Sequence, residues 1–249
     1  MEVHHHPHVE KKNFKEYLLE GLMIFLAVTM GFFAESLREY FGDREKESHY
    51  MHSMVEDLKK DTAALHYSIR RLEENMACSK IFLVSIANNT LNAMSDIDIL
   101  KLSRNVGNSV DIIFNDRTSS QLKNSGSIRL IKNKSIADSL LQYWNNQIWA
   151  NQIHERYETV RLEKNKIGYK TFSWYKFEFS PNYLGADSTI VNAMPAKAII
   201  KPENLPEFLN ATGNLFISGS WHYVPILNRQ LALATYLIKE IEKNYSREK

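Results

Sequence analysis

Gly21–Ala34 reads GLMIFLAVTMGFFA, 14 residues without a charge, and the fold turns on how this run is read. A run of that length suits a core helix of a soluble bundle, the hydrophobic part of a signal peptide, or the centre of a transmembrane helix. Extension to Tyr17–Leu37 gives 21 residues, roughly 30 Å of helix, which matches the hydrocarbon core of a bilayer. The extension takes in Glu20 and Glu35, both near its ends, where a carboxylate reaches the interface. From Leu22 to Ala34 only Thr29 is polar, so the helix has no solvent face. Phe14, Lys15 and Tyr17 on one side, and Arg38, Tyr40 and Phe41 on the other, are the aromatic and basic flanks of a membrane interface.

Lys11, Lys12 and Lys15 would also serve as the basic region of a cleaved signal peptide. Cleavage after Ala34, however, places Phe32 at the −3 position, where a small residue is required, so an uncleaved signal anchor is expected. This divides the chain into a basic, His-rich tail (1–16), a transmembrane helix (17–37) and a mainly helical soluble domain (38–249). Three basic residues precede the span, and Arg38, Arg44 and Lys46 come after it, so the local charge rule is tied. Long C-terminal domains translocate largely regardless of charge. The expectation is therefore a single-pass protein of the inner (cytoplasmic) membrane, its partner lipid and its C-terminal domain periplasmic. Ala27 and Gly31 lie four apart, as helix-packing residues do where two spans approach closely, or as ordinary lipid-facing positions.

Beyond the span, Arg44 to Met94 contains neither Gly nor Pro, and helix is unopposed. Met51, Val55, Leu58, Thr62, Leu65, Ile69, Leu72 and Met76 alternate spacings of four and three, a heptad seam. A helix cannot bury such a seam alone. It pairs with a second copy as a coiled coil or packs on later helices of its own chain.

Gly107 marks a connector. Asp116–Lys123 reads as a short helix stopped by Asn124-Ser125-Gly126. Ser135-x-x-Asp138 resembles a capping box that opens a helix running to Ile167, with Gly168 as its stop. Five of the six prolines fall between Pro181 and Pro225, which marks a loop-rich segment, and Tyr175–Phe179 alternates like a short strand. A last helix is expected over Pro225–Tyr245. The fold class is mainly α: one transmembrane helix continuing into a long heptad-bearing helix, then a helical bundle with a loop-rich segment and at most a short strand pair.

Composition narrows function by exclusion. The 249 residues carry a net charge of +2, with 44% hydrophobic and 24% charged residues, values of an ordinary globular chain. Basic residues are interleaved with acids, so a nucleic-acid partner is not expected. Cys78 is the single cysteine, which removes a disulfide framework and any Cys-rich metal site. Without a base or an electropositive setting in the sequence it reads as a buried small residue.

The remaining candidates for chemistry are few. His4, His5, His6 and His8 offer imidazoles to a divalent metal, against the default of a solvated tail. Glu45, His49, His52 and Glu56, spaced four, three and four, form one stripe of a helix with carboxylate and imidazole ligands. The matching Glu-x-x-His on a partner helix is missing, which favours an ion-paired solvent face. Trp144, Trp149, Trp174 and Trp221 would line a pocket or fill the core. No catalytic residue and no cofactor is expected from motifs.

His4–His8 (HHHPH), Lys15–Glu39 (KEYLLEGLMIFLAVTMGFFAESLRE), Tyr50–Thr62 (YMHSMVEDLKKDT) and Arg117–Ile131 (RTSSQLKNSGSIRLI) together resemble a family of single-pass membrane proteins of Gram-negative bacteria. That resemblance implies an anchor and assigns no activity. Three functions then compete. The first is a non-enzymatic membrane-anchored scaffold, homo-oligomeric and bound to a protein partner. The second is an oligomeric assembly passing ions or protons along Glu20, since an ionisable residue at a membrane helix is a functional candidate. The third is an enzyme whose pocket has no sequence signature.

Overall fold

The computed structural model describes residues 13–174 and 200–245. The chain divides into two units, Met1–His49 and Tyr50–Lys249. Among the described residues the secondary structure is helical, without a strand; Phe172 and Ile200 form an isolated antiparallel bridge. The expected strand at Tyr175–Phe179 and the His-rich tail lie outside the described residues.

Helix α1, Phe14–Ala87, carries both the apolar segment and the heptad stretch. In the first unit, Asn13 caps it: the Asn13 carbonyl accepts from Glu16 N at 2.8 Å, while the Glu16 carboxylate accepts from Asn13 N at 3.0 Å. A carboxylate reaching back to the cap amide satisfies one of the donors that every helix start leaves open. The Thr29 hydroxyl donates to the Phe25 carbonyl at 2.7 Å, so the one polar side chain of the central run is satisfied within the helix.

In the second unit, α1 buries Met51, Val55, Leu58, Leu65, Ile69, Leu72 and Met76, the apolar seam read from the sequence. A third row is buried beside it: Met54, Asp61, Ser68, Asn75 and Phe82, again seven apart. The buried face is therefore wider than a two-row coiled-coil seam and has the breadth of a bundle helix. The chain's own later elements fill it. Helix α2 is Asp96–Asn105, α3 is Arg117–Asn124, α4 is Lys134–Thr171, α5 is Leu205–Ile217 and α6 is Val224–Tyr245. Helix α4 packs on α5 and α6, which a six-residue π-helical turn, Ser218–Tyr223, joins without a break.

Four boundaries differ from the sequence reading, each for a physical reason. Helix α1 ends at Ala87 rather than near Met94, because Asn89 takes a left-handed conformation (φ 53°), which asparagine tolerates better than most residues. Helix α4 is capped by Asn133, whose side chain accepts from Ile136 N at 3.3 Å, two residues before the expected Ser135. It also runs through Gly168 to Thr171. That glycine is not a stop; it makes room for Trp174, whose Cη2 would lie 2.0 Å from any Cβ there. The loop-rich segment likewise contains α5, because Pro206 and Pro225 stand in opening turns, where a missing N–H costs nothing.

The core consists of two apolar clusters. One joins Leu65, Leu72 and Phe82 of α1 to Tyr157 of α4, Phe208 of α5 and Leu227 of α6. The other joins Met51 and Leu58 of α1 to Leu140 and Trp144 of α4 and Leu237 of α6. Leu72 is fully buried, and truncation of such a leucine removes transfer free energy and leaves a cavity. Leu72→Ala is expected to lower unfolding stability by about 2–5 kcal/mol in denaturant titrations of the full-length protein in detergent. Phe33→Ala, on the exposed segment, should leave the same transition within about 0.5 kcal/mol.

Candidate functional site

The most distinctive surface belongs to the first unit. Phe14–Ala87 is long and apolar enough to cross a membrane, and none of its most apolar window is buried. Met23 is 67% exposed, Phe25 65%, Met30 71% and Phe32 72%, residues that point in different directions around the helix. The described residues of this chain do not cover Gly21–Ala34 as they cover a core helix. Glu35 accepts two hydrogen bonds from Arg38, at 3.0 and 2.5 Å, so the carboxylate next to the apolar run is ion-paired within the helix. Glu20, Ala27 and Gly31 lie on the same exposed surface, and a Cβ at Gly31 would meet nothing within 4 Å.

The other residues singled out from the sequence are dispersed. Glu45, His49, His52 and Glu56 are all exposed on α1. Glu56 accepts from Arg117 at 3.5 Å, and in the adjacent groove Lys59 bridges Glu242 at 2.7 Å. Among the described residues no three His, Cys, Asp or Glu side chains gather as a metal site requires. Cys78 is half-buried, and burial, then the Glu74 charge, pushes its thiol up, the reverse of an activated nucleophile. Trp144 and Trp174 are core residues, whereas Trp149 is 59% and Trp221 75% exposed. A groove of about 450 Å³ between α4 and α5 is lined by Thr159, Glu163, Glu207, Asn210 and Asn214 among others, a set without a nucleophile–base pair.

What the seam reading missed is the polar row. Asn75 Nδ2 donates to the Asn108 carbonyl (2.8 Å), and Ser68 Oγ to the Asp111 carbonyl (3.2 Å). The Asp61 carboxylate accepts from Asn115 N (2.7 Å), and Asp57 from Thr118 N (3.1 Å) and Thr118 Oγ1 (2.6 Å). The connector after Gly107 thus runs antiparallel to α1 and is fastened to it about once per heptad. The spacings agree: seven helical residues rise roughly 10.5 Å, and three or four extended residues span roughly 10–13 Å. An irregular segment has no ladder of its own, so side chains of α1 supply partners for its backbone groups. The signal lay in the sequence as the polar residues Asp61, Ser68 and Asn75, seven apart, with Asp57 one turn before them.

Asp61 does more than hold the connector. Its second oxygen accepts from the Tyr143 hydroxyl of α4 at 2.7 Å, and Gln230 of α6 donates to the Tyr143 carbonyl at 3.0 Å. Asp61 and Gln230 are buried polar side chains, and Tyr143 belongs to the second apolar cluster. Burial holds the Asp61 carboxyl above the usual range, against the downward pull of Asn115 and Tyr143. Burial, then the facing carboxylate, pushes the Tyr143 phenol far up, so it remains a donor.

A second polar cluster lies at the π-helical turn. Tyr223 Oη and His154 Nδ1 are 3.0 Å apart, and His154 Nε2 faces the exposed Asp111 carboxylate at 3.8 Å. Burial, with Glu158 nearby, raises the Tyr223 phenol well above its ordinary value, so it is no base at neutral pH. Gly219 completes the turn by admitting Met76, whose Sδ would be 2.6 Å from a Cβ. Comparisons with family models, curated proteins and solved structures return no match to this chain.

The polar row sets two expected outcomes. Asp57→Ala leaves the Thr118 amide and hydroxyl buried without their acceptor and is expected to cost about 1–3 kcal/mol in denaturant titrations. For Asp61, the folded carboxyl binds its proton more tightly than the unfolded one. Its contribution to stability is thus present at acid pH and is lost as pH rises above the ordinary carboxylate range. Denaturation midpoints measured from pH 4 upward should show that loss in wild type and a smaller one in Asp61→Asn.

Proposed function

We propose that this chain is a single-pass inner-membrane protein: residues 17–37 form an uncleaved signal anchor and the helical domain lies in the periplasm as a non-enzymatic interaction scaffold. The observation that carries the reading is the uncovered apolar surface from Leu18 to Phe33 on a helix whose other half is packed into a bundle. Bilayer hydrocarbon is the solvent that such a surface suits. The intrahelical satisfaction of Thr29 and the Glu35–Arg38 pair support it, since both lower the cost of polar groups at membrane depth. The resemblance of Lys15–Glu39 to single-pass proteins of Gram-negative bacteria supports the compartment.

The scaffold role rests on what the domain does with its polar groups. Asp57, Asp61, Ser68 and Asn75 are spent on holding the connector and helices. Trp149, Trp221 and Ile217 are at least half exposed, and exposed large apolar side chains suit a protein partner. Self-association is assigned to the Ala27/Gly31 stripe of the span, because the heptad seam is filled within the chain.

Topology and association are tested together in cells. With Cys78→Ser as background, Lys239→Cys should react with a membrane-impermeant maleimide in intact spheroplasts; labelling only after lysis would place the domain in the cytoplasm. Crosslinking in native membranes should give a dimer or higher band that Gly31→Leu reduces severalfold. A purely monomeric wild type would remove self-association.

A further inference from the structure

We propose that Lys164, as a neutral amine, is a latch that holds the turn at Val106–Gly107 and the Trp174 ring against α4 and α5, and that its protonation releases them. Lys164 is fully buried in the second unit. Its Nζ donates to the Val106 carbonyl, just past the last turn of α2. The nitrogen also lies 5.4 Å from the centre of the Trp174 ring and 5.9 Å from that of Phe208. Trp174 in turn donates from Nε1 to Ser103 Oγ of α2 at 2.9 Å, and sits over Gly168. Three pieces of chain that are remote in sequence therefore meet on one amine.

The charges around this amine oppose a proton. From α2, Arg104 stands 5.2 Å from the Trp174 ring and 6.0 Å from that of Tyr169. From α4 itself comes Arg161, whose ion pair with Glu158 at 2.7 Å leaves that carboxylate already engaged. Helix α5 brings the Phe208 ring. Among the described residues no carboxylate stands within ion-pair distance of Lys164. A neutral amine has two N–H donors, one of them taken by the Val106 carbonyl; an ammonium has three to satisfy and, among the described residues, no counter-ion. Aromatic faces compensate only part of that loss.

The titration runs in the same direction. Burial first, then the repulsion of Arg104 and Arg161, lowers Lys164 to about 7. An opened lysine returns towards the ordinary value near 10.4. Between those two values the open form binds the additional proton, so the latch is firmest at alkaline pH, weakens as pH falls, and reaches its weakest state near and below about 7. Gly107 marks the turn that would give way: its φ is +71°, and a Cβ there would meet Leu215 at 2.1 Å. The latch is independent of the membrane assignment.

Hydrogen–deuterium exchange of the full-length protein in detergent, corrected for intrinsic rates and compared between pH 9 and pH 6.5, tests the latch. In wild type, opening over residues 103–110 should rise by about tenfold or more at the lower pH. Lys164→Met should remain within about twofold, and Lys164→Arg, a permanent cation, should be open at both values. Equal exchange in wild type at the two pH values, or the same rise in Lys164→Met, overturns the proposal. If neither variant folds, the 13C resonance of the Lys164 side chain decides. A midpoint near 7 supports the latch, and an ordinary lysine midpoint refutes it.

Discussion

The Asp61 carboxylate is the joint on which the second unit depends. One oxygen holds the backbone and side chain of Asn115, and the other holds the Tyr143 hydroxyl. Through these contacts one residue of α1 sets the position of the connector and the register of α4, and Gln230 extends the layer to α6. Apolar packing is non-directional, so by itself it tolerates slippage of one helix past another better than hydrogen-bonded groups do. A buried carboxylate does not permit it. Slippage would strand the charge away from all of its donors, which costs several kcal/mol. The layer thus gives specificity to a core whose stability comes from the two apolar clusters.

Helix α1 carries two patterns of exposure. Up to Phe41 its apolar side chains face outward in every direction, whereas from Met51 most of them lie on one broad face covered by the chain itself. Two patterns in one helix suit the proposed span continued into a bundle: apolar on all sides for hydrocarbon, amphipathic for water. Within the bundle, the polar groups of the α1 row and of its surroundings are used for structure. Asp57, Asp61, Ser68, Asn75 and Ser103 are all bonded within the domain.

Much of this architecture was legible in the residues. The all-round apolarity of Leu22–Ala34 and the spacings from Met51 to Met76 led to one long helix and a bundle, and the helices near Arg117–Asn124 and Val224–Tyr245 were found close to their observed limits. Misplaced boundaries came from reading single residues without their neighbours. Gly168 looked like a helix stop because glycine often is one, but its role is set by Trp174, six residues on in sequence and against it in space. The prolines near Pro206 looked like loop because a proline opens a helix only when the residues C-terminal to it sustain one. The polar row escaped because serine, asparagine and aspartate at heptad positions read as interruptions of a seam rather than as a second seam. Lys164 carried no local signal at all: its burial is made by Val106, Trp174 and Phe208, from three distant segments. A homodimeric coiled coil, the other use that the spacing allows, is not needed to bury this seam, because residues of α4 and α6 share its clusters.

The central claim is that the exposed run from Leu18 to Phe33 is covered by lipid. Alkaline carbonate extraction of membranes from cells making the full-length chain tests it most directly. The account predicts that wild type stays in the membrane pellet and that a double substitution, Phe25→Arg with Val28→Arg, releases the domain in a folded, soluble form. Extraction of wild type into the supernatant, or retention of the doubly substituted chain to the same extent, would contradict it.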